Sequence, residues 1–317
     1  MASDLLPASE VQQLLKRLSY WNGAVDGNLR EESFRDSLKK FQADLRLGVD
    51  GWYGAQSDKA LRRFEGQLRK APPGFGQARR WRLTSYYVAA EGEKPGPKTV
   101  PILDINGKTL AMVSSGDFAA AALEGTIRMR DGRLLNVAGA TVKTQHEVYA
   151  DVFAFAQRNK WIPDKPGYAG LTLDKSATKV VAVSAFHVVD QSKLGIGYGV
   201  LRGMPLRPFR TLAADIGYPK YRNAEPLFKG KGGVCPPGTE VFIVNMVGVK
   251  CPDGVGGEFV HDGWFIVNDT GGAIYGAHYD VFVGSRALSS PARHPSIGHV
   301  WFEGIEKKLP ATYSYGI

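Results

Sequence analysis

The sequence predicts a multidomain α+β protein, in which a small N-terminal helical domain precedes a β-rich domain. Three observations predict this: amphipathic helical patterns across 11–64, a Pro- and Gly-containing stretch at 66–80, and short β-rich runs in the remainder. A chain of 317 residues is also longer than one typical domain. We therefore divide it into a helical domain at 1–68, a basic linker at 69–80 and a β-domain at 81–317.

The composition limits the class of function. A hydrophobic content of 44% and a charged content of 22% are typical of a folded globular protein. The net charge of +9 implies attraction to a polyanion, which could be nucleic acid, anionic lipid or an anionic bacterial wall. No zinc-finger, helix-turn-helix or RNA-binding signature accompanies the charge, so no nucleic-acid partner is expected. A basic run overlaps the linker and could also be a solvated tether without any partner. It comprises Arg62, Arg63, Arg69, Lys70, Arg79, Arg80 and Arg82.

The chain has two cysteines and no pattern of a membrane span. A disulfide between Cys235 and Cys251 is possible, but it does not follow from their number alone. A metal site would need more such ligands, and we expect no metal and no organic cofactor. The N-terminus lacks a charged-then-apolar signal, and no apolar run approaches membrane-spanning length. We expect no stable membrane insertion, and either a signal already removed or another export route. The pattern leaves the oligomeric state open.

An internal repeat marks the helical domain. The motif Gly23-Ala24-Val25-Asp26-Gly27 recurs as Leu47-Gly48-Val49-Asp50-Gly51, and a polar helical stretch follows each copy. Apolar residues at helical spacing predict three short amphipathic helices. Their apolar faces are Val11, Leu14, Leu15 and Leu18; Phe34, Leu38 and Phe41; and Ala60, Leu61 and Phe64. The sequence thus predicts a three-helix bundle joined by Asp-Gly loops.

The spacing of these helices and loops has a counterpart in a known family. The motifs are Tyr20-x-x-Gly23-x-Val25-Asp26-Gly27, Leu38-x-x-Phe41-Gln42, Leu47-x-Val49-Asp50-Gly51-x-x-Gly54 and Ala60-Leu61. Over most of 9–68 this pattern resembles the type 1 peptidoglycan-binding domain. Asn28-Leu29-Arg30 stands where the family usually has an aromatic-Gly pair, so the first loop departs from it. The resemblance implies wall binding; the alternative is a helical module kept for folding or for another ligand.

The β-rich domain begins with a predicted strand at 81–88. We expect an insertion at about 95–190 that alternates strands with helices. The predicted strands are 100–105, 110–113 and 180–186, the predicted helices are 116–123 and one around 144–158, and the predicted hairpin turns are Asn106-Gly107 and Asp131-Gly132.

Residues 262–284 carry the most informative carboxylate. In the predicted strand 277–283, Asp280 shares its face with Phe282 and lies opposite the Val281 face. A half-apolar setting raises the pKa of a carboxyl and favours the protonated form that general-acid chemistry requires. The alternative is a solvated strand aspartate opposite a basic neighbour.

Four motifs around this segment have a counterpart in a second family. They are Leu212-Ala213-Ala214-Asp215, Pro236-Pro237-Gly238-Thr239, Asp269-Thr270-Gly271-Gly272-Ala273-Ile274-x-Gly276 and His278-x-Asp280-x-Phe282-x-Gly284. Together they resemble the three-aspartate (3D) domain of the membrane-bound lytic transglycosylase A type. The resemblance extends to Gly298-His299-Val300-Trp301 and back to Leu83-Thr84-Ser85-Tyr86-Tyr87. It implies a double-psi β-barrel in which the insertion forms one wall of a groove.

The resemblance also implies roles for individual residues. Asp280 matches the family's catalytic aspartate, and Asp269 and Asp215 match the other two. The spacer from Asp215 to Pro236 is longer than the family usually shows. Asp269 would either bias Asp280 electrostatically or cap the turn that follows it. The implied substrate-binding residues are Thr84, Tyr86, Gly271 and Gly272.

The implied activity is a lytic transglycosylase reaction on peptidoglycan glycan strands. One aspartate, acting as acid and then as base, cleaves the MurNAc-GlcNAc β-1,4 bond without water and leaves 1,6-anhydroMurNAc ends. The site of action would be the periplasm or the cell wall, reached by export, injection or phage delivery. Two alternatives stay open: a non-catalytic, expansin-like wall-binding barrel, and a hydrolytic muramidase or glucanase with Asp215 or Asp262 as second carboxylate.

Overall fold

The computed structural model describes most of the chain. The described residues are 5–73, 76–144, 157, 171–174, 176, 180–194, 199, 204–215, 235, 237–254, 256–271, 274, 276–289 and 296–302. The helices are α1 (Ala8–Arg17), α2 (Glu32–Asp44), α3 (Ala55–Leu68), α4 (Ser115–Glu124) and α5 (Gln191–Leu194). The strands are β1 (Arg79–Ala90), β2 (Val100–Leu103), β3 (Thr109–Val113), β4 (Thr126–Arg128), β5 (Leu134–Thr144), β6 (Leu171–Leu173), β7 (Val180–Val188), β8 (Thr211–Ala214), β9 (Glu240–Ile243), β10 (Lys250–Pro252), β11 (Glu258–Val260), β12 (Trp264–Asp269), β13 (His278–Ser285) and β14 (Ile297–Phe302).

The first three helices bury the apolar faces that the sequence predicts. Their side chains form one hydrophobic cluster, which contains Val11, Leu14, Leu15, Leu18, Phe34, Leu38, Phe41, Leu61 and Phe64, with Ala60 packed against it. The helices are short, so burial of this shared face rather than intrinsic propensity stabilises them.

Two buried glutamines explain the internal repeat. The Gln12 side chain donates to Asp26 Oδ1 at 2.9 Å and accepts the N–H groups of Asp26 and Gly27 at 3.0 and 2.8 Å. Gln42 makes the same set of bonds to the second loop, donating to Asp50 Oδ1 at 2.8 Å. Each copy of the repeat is therefore an Asp-Gly turn held by a glutamine from the preceding helix.

Six strands form a closed barrel. Their order is β13-β8-β12-β9-β14-β1, and parallel pairing of β1 with β13 closes it. Alternate residues of these strands fill the interior, among them Leu83, Leu212, Val241, Phe265, Val267, Tyr279, Val281 and Val300. The complementary alternate residues point outwards, where the rest of the chain packs.

The segment between β1 and β8 forms a second sheet beside the barrel. Strand β1 continues into this sheet, where Ala89 pairs with Ile127 of β4, and the order onward is β4-β5-β7-β6. The helix predicted at 116–123 is confirmed as α4. The predicted hairpins at Asn106-Gly107 and Asp131-Gly132 are confirmed as β2–β3 and β4–β5. The helix predicted around 144–158 lies almost wholly outside the described residues.

The helical region packs directly on the barrel. Phe242, Val244 and Val247 belong to the same hydrophobic cluster as the helices, and Gln67 donates to the Val247 carbonyl at 3.0 Å. Strand β1 begins at Arg79, inside the predicted linker. The helices and the barrel therefore share a core.

The remaining expectations concern thiols, metals and membranes. Cys235 and Cys251 are both buried and carry free thiols. Within the described ranges, no three His, Cys, Asp or Glu side chains cluster in a way that could hold a metal ion. None of the helices in these ranges combines the length and the apolarity that crossing a membrane requires.

Candidate active site

Asp280 lies on the outer face of the barrel. Its neighbours Tyr279 and Val281 point into the barrel core, whereas Phe282 packs outside with Leu134 of the inserted segment. Asp280 itself is partly exposed. The alternation in β13 thus places this carboxyl between the barrel and the insertion, on the face that the sequence predicts.

Thr84 holds the Asp280 carboxyl from the neighbouring strand. The two residues are in register between β1 and β13, and the Thr84 hydroxyl donates to Asp280 Oδ1 at 2.8 Å. The same hydroxyl lies 2.7 Å from His278 Nε2. Because threonine has one hydroxyl proton, Nε2 of His278 must carry the hydrogen of this second bond. The Thr84 contact orients Oδ1 and leaves Oδ2 to carry a proton.

Asp280 has the proton affinity of a general acid. Burial raises the pKa of Asp280 to about 6, while the Thr84 hydrogen bond and the positive charge of Arg82 act in the opposite direction. Desolvation disfavours the ionised carboxylate more than Thr84 and Arg82 stabilise it, so the net shift of the pKa is upward. A carboxyl with this pKa is protonated in a substantial fraction of molecules near pH 6, as general-acid catalysis requires.

Asp269 ends β12 and is also held by β1. Its Oδ2 accepts the Tyr86 hydroxyl at 2.8 Å, and its Oδ1 accepts the Thr270 N–H at 2.8 Å. Burial raises the pKa of Asp269 to about 6, and the charge of Asp280 raises it further. The sequence predicts a cap on the turn at Gly271-Gly272. The bonded N–H belongs to Thr270, one residue earlier, so the prediction is matched only in part.

Strand β8 brings the two carboxylates together. Ala213 is in register with Asp280 on one side and with Asp269 on the other. Ala213 itself is buried in the cluster that contains Tyr86 and Phe282. The electrostatic coupling of Asp269 to Asp280 follows from this arrangement.

Asp215 has a different environment. It is buried at the end of β8, and its Oδ2 accepts the Gly276 N–H at 3.1 Å, in the loop that leads into β13. This contact anchors that loop, which is a structural task. Asp262, the other proposed second carboxylate, is exposed and bonded to Arg210. Although burial raises the pKa of Asp262, the Arg210 and Trp264 N–H contacts lower it overall.

The predicted substrate-binding residues have several placements. The hydroxyls of Thr84 and Tyr86 contact the two carboxylates, and Tyr86 is buried. Gly271 has no positive φ, so backbone freedom does not account for a glycine at this position. A Cβ at Gly271 would lie 2.9 Å from Ile274 Cγ1, so the position requires small size instead. Gly272 lies outside the described residues.

Sequence reasoning missed a further carboxyl, Glu124, at the end of α4. Its Oε2 accepts the Tyr87 N–H at 3.0 Å. Burial raises the pKa of Glu124 to about 7, and the charges of Asp280 and Glu93 add to this. The only local signal is a glutamate before Gly125, which caps the helix with a φ of 80°. That signal indicates a helix end and gives no indication of proximity to Asp280.

Two family models match separate parts of the chain. Residues 7–61 match the model described as a putative peptidoglycan binding domain, and residues 232–291 match the model described as the 3D domain. Both domains are present in this chain. The 3D match contains Asp269 and Asp280 and excludes Asp215, so it covers the two coupled carboxylates.

Several solved structures are similar over nearly the whole chain. MltA from E. coli is 16% identical with a TM-score of 0.37, covering 95% of this chain and 91% of that one. E. coli MltA with bound chitohexaose is 16% identical with a TM-score of 0.40, covering 95% and 92%. MltA from Neisseria gonorrhoeae is 13% identical with a TM-score of 0.37, covering 97% and 88%. No curated protein matches the chain.

Proposed function

We propose that this protein is a peptidoglycan lytic transglycosylase that cleaves the MurNAc-GlcNAc β-1,4 bond and leaves 1,6-anhydroMurNAc ends. The observation that carries the proposal is the Asp280 carboxyl, partly exposed inside a 3D domain, whose pKa burial raises to about 6. The putative peptidoglycan binding domain in the same chain supports the same polymer as substrate.

In the first half of the reaction Asp280 acts as the acid. Protonated Oδ2 gives its proton to the glycosidic oxygen, which leaves as the 4-hydroxyl of GlcNAc while the bond to C1 of MurNAc breaks. Thr84 keeps Oδ1 bonded throughout and thereby holds the direction of Oδ2. The charge of Asp280 raises the pKa of its neighbour Asp269, and because a charge-charge interaction is mutual, we assign Asp269 the role of opposing ionisation of Asp280.

In the second half the same carboxylate acts as the base. The 6-hydroxyl of MurNAc attacks C1, and ionised Asp280 takes the proton that this hydroxyl loses. Asp280 ends the cycle protonated, and no water is consumed. One carboxyl therefore suffices, whereas a hydrolase needs a second carboxylate to activate water or attack the sugar.

The carboxylates considered for that second role are engaged elsewhere. Asp262 is bonded to Arg210, and Asp215 holds the Gly276 N–H. We assign Asp269, with Thr84 and Tyr86, to positioning and electrostatic support of Asp280. We assign the turn at Gly271-Gly272 to close approach of the glycan backbone.

The domain division completes the proposal. We infer that the closed barrel is of the double-psi type, that the inserted segment forms one wall of the substrate groove, and that the helices form the wall-binding bundle. A binding domain on the same chain raises the enzyme concentration on an immobile polymer. The protein then acts in the periplasm or at the cell wall.

Mass spectrometry of products released from purified sacculi tests this function. We expect anhydro ends, a rate that falls as pH rises above about 6 because Asp280 ionises, and no release by Asp280→Asn. Asp262→Asn is the matched control and should retain activity. Reducing ends would establish a hydrolase, and sacculi that bind the protein without releasing glycan would favour a wall-binding barrel.

A further inference from the structure

The second Asp-Gly loop exposes a large aromatic side chain. Trp52 is 54% exposed, whereas Trp21 and Trp81 are 5% and 3% exposed and Trp264 is partly buried. Those four are the tryptophans whose side chains the structure describes. Exposing an indole forgoes the free energy of burying a large apolar surface, so an exposed tryptophan calls for a reason.

Comparison of the two loops isolates the position of Trp52. In each loop the residue after the glycine donates its N–H to the clamped aspartate, from Asn28 to Asp26 and from Trp52 to Asp50, both at 2.8 Å. The backbone bonding is therefore the same in both loops. The loops differ in what they present outward, which is a small amide in the first and an indole in the second.

The neighbouring Tyr53 makes a hydrogen bond within the helical domain that the Trp52 side chain does not make. The Tyr53 hydroxyl donates to Asp58 Oδ1 at 2.6 Å, and Asp58 is buried. Tyr53 thus points inward and ties the loop to α3. The Trp52 side chain is not needed for that contact.

A cation lies over the indole. The guanidinium carbon of Arg35 is 4.1 Å from the Trp52 ring centroid, and the aliphatic part of Lys39 packs over Gly51 in the same loop. Arg35 Nε is buried and lacks a hydrogen-bond partner among the described residues. The loop therefore presents an aromatic surface beside two cationic side chains.

We propose that Trp52, with Arg35 beside it, is the contact of the helical domain for the peptidoglycan strand, and that the first loop is not. The inference rests on the proposed function and specifies where the wall polymer binds. The apolar face of an N-acetylated amino sugar would stack on the exposed part of the indole, as sugars do on aromatic rings. Lys39 is paired with Asp36, so the Arg35 guanidinium is the cation that would face the carboxylates of the acidic stem peptides, which are absent from neutral glycans.

Binding of the full chain to purified sacculi tests the site. The parent protein carries Asp280→Asn, so that the polymer stays intact during the measurement. Trp52→Ala should weaken binding about tenfold or more, as expected for a tryptophan at the centre of a contact. Trp52→Phe retains an aromatic face and should restore most of the binding. Asn28→Ala, the matched change in the first loop, should bind like the parent.

Thermal unfolding of each variant separates lost contact from lost folding. We expect Trp52→Ala and Trp52→Phe to stay folded, with melting temperatures within a few degrees of the parent, because the bonds to Gln42 and Asp50 involve only the backbone at position 52 and the Arg35 contact contributes only about 0.5–1 kcal/mol. Equal binding by Trp52→Ala and the parent would overturn the site, as would an equal loss in Asn28→Ala. A parent that does not bind sacculi would overturn wall binding itself, which is a distinguishable result.

Discussion

Replacing Asp280 by asparagine should stabilise the fold while it abolishes the proposed chemistry. The pKa of Asp280 is raised from its ordinary value of 3.8 to about 6 because the ionised form loses hydration on burial. Each tenfold change in proton affinity corresponds to about 1.4 kcal/mol, which gives about 3 kcal/mol at pH 8. Asp280 is partly exposed, and solvent screening reduces this to about 2 kcal/mol. Asparagine avoids this cost and can still accept the Thr84 hydroxyl.

The sign of the pH dependence makes this prediction specific. A raised folded-state pKa means that the folded protein holds a proton that the unfolded chain releases between about pH 4 and pH 6. The increase in the free energy of unfolding caused by Asp280→Asn should therefore be complete above about pH 6 and vanish as pH falls towards 4. At about 2–4 °C per kcal/mol, the melting temperature at pH 8 should rise by roughly 4–8 °C. A gain of equal size at pH 4, or a loss at pH 8, would refute the reasoning.

Two further predictions concern the neighbours of this carboxyl and the helical region. The charge of Asp280 raises the pKa of Asp269, and the interaction is mutual; Asp269→Asn should therefore move the pH at which activity falls downwards, and an unchanged or higher pH would contradict the coupling. Gln42→Ala leaves the clamped N–H of Asp50 without its partner and should lower the free energy of unfolding by about 2–3 kcal/mol in urea titrations. Gln56→Ala, an exposed glutamine nearby, should change it little, and similar losses in both variants would contradict the clamp.

The local sequence pattern predicted helices, strands and turns well where one hydrophobic period or one turn dipeptide determined them. The apolar spacing gave the buried faces of the three N-terminal helices, and Asn-Gly and Asp-Gly steps gave two hairpins. The alternation in β13 placed Asp280 on the face away from the barrel core. These features depend on residues a few positions apart, which the linear sequence displays directly.

Contacts between distant strands could not be predicted in the same way. Thr84 meets Asp280 because β1 and β13 pair in parallel, and parallel pairing leaves no local turn signal. Glu124 reaches the site from the inserted segment, through a bond to Tyr87 where the β1–β13 register shifts. Hydrophobic periodicity also fails to identify Gln42 as a buried residue. In the sequence, a buried amide with all its hydrogen bonds made looks like an ordinary polar helix residue.

A single strand connects the three parts of this chain. Before β1 begins, the Ala78 N–H donates to the Arg17 carbonyl of α1 at 2.8 Å, and near its start Arg80 pairs with Asp44 of α2. Four residues beyond Arg80, Thr84 holds Asp280, and at its end β1 enters the second sheet. Because the helices also share a core with the barrel, the proposed wall-binding surface and the proposed acid have a fixed relative orientation. The gain in effective enzyme concentration from the binding domain then depends on whether one glycan strand can reach both sites in that orientation. The length of a linker does not determine this gain.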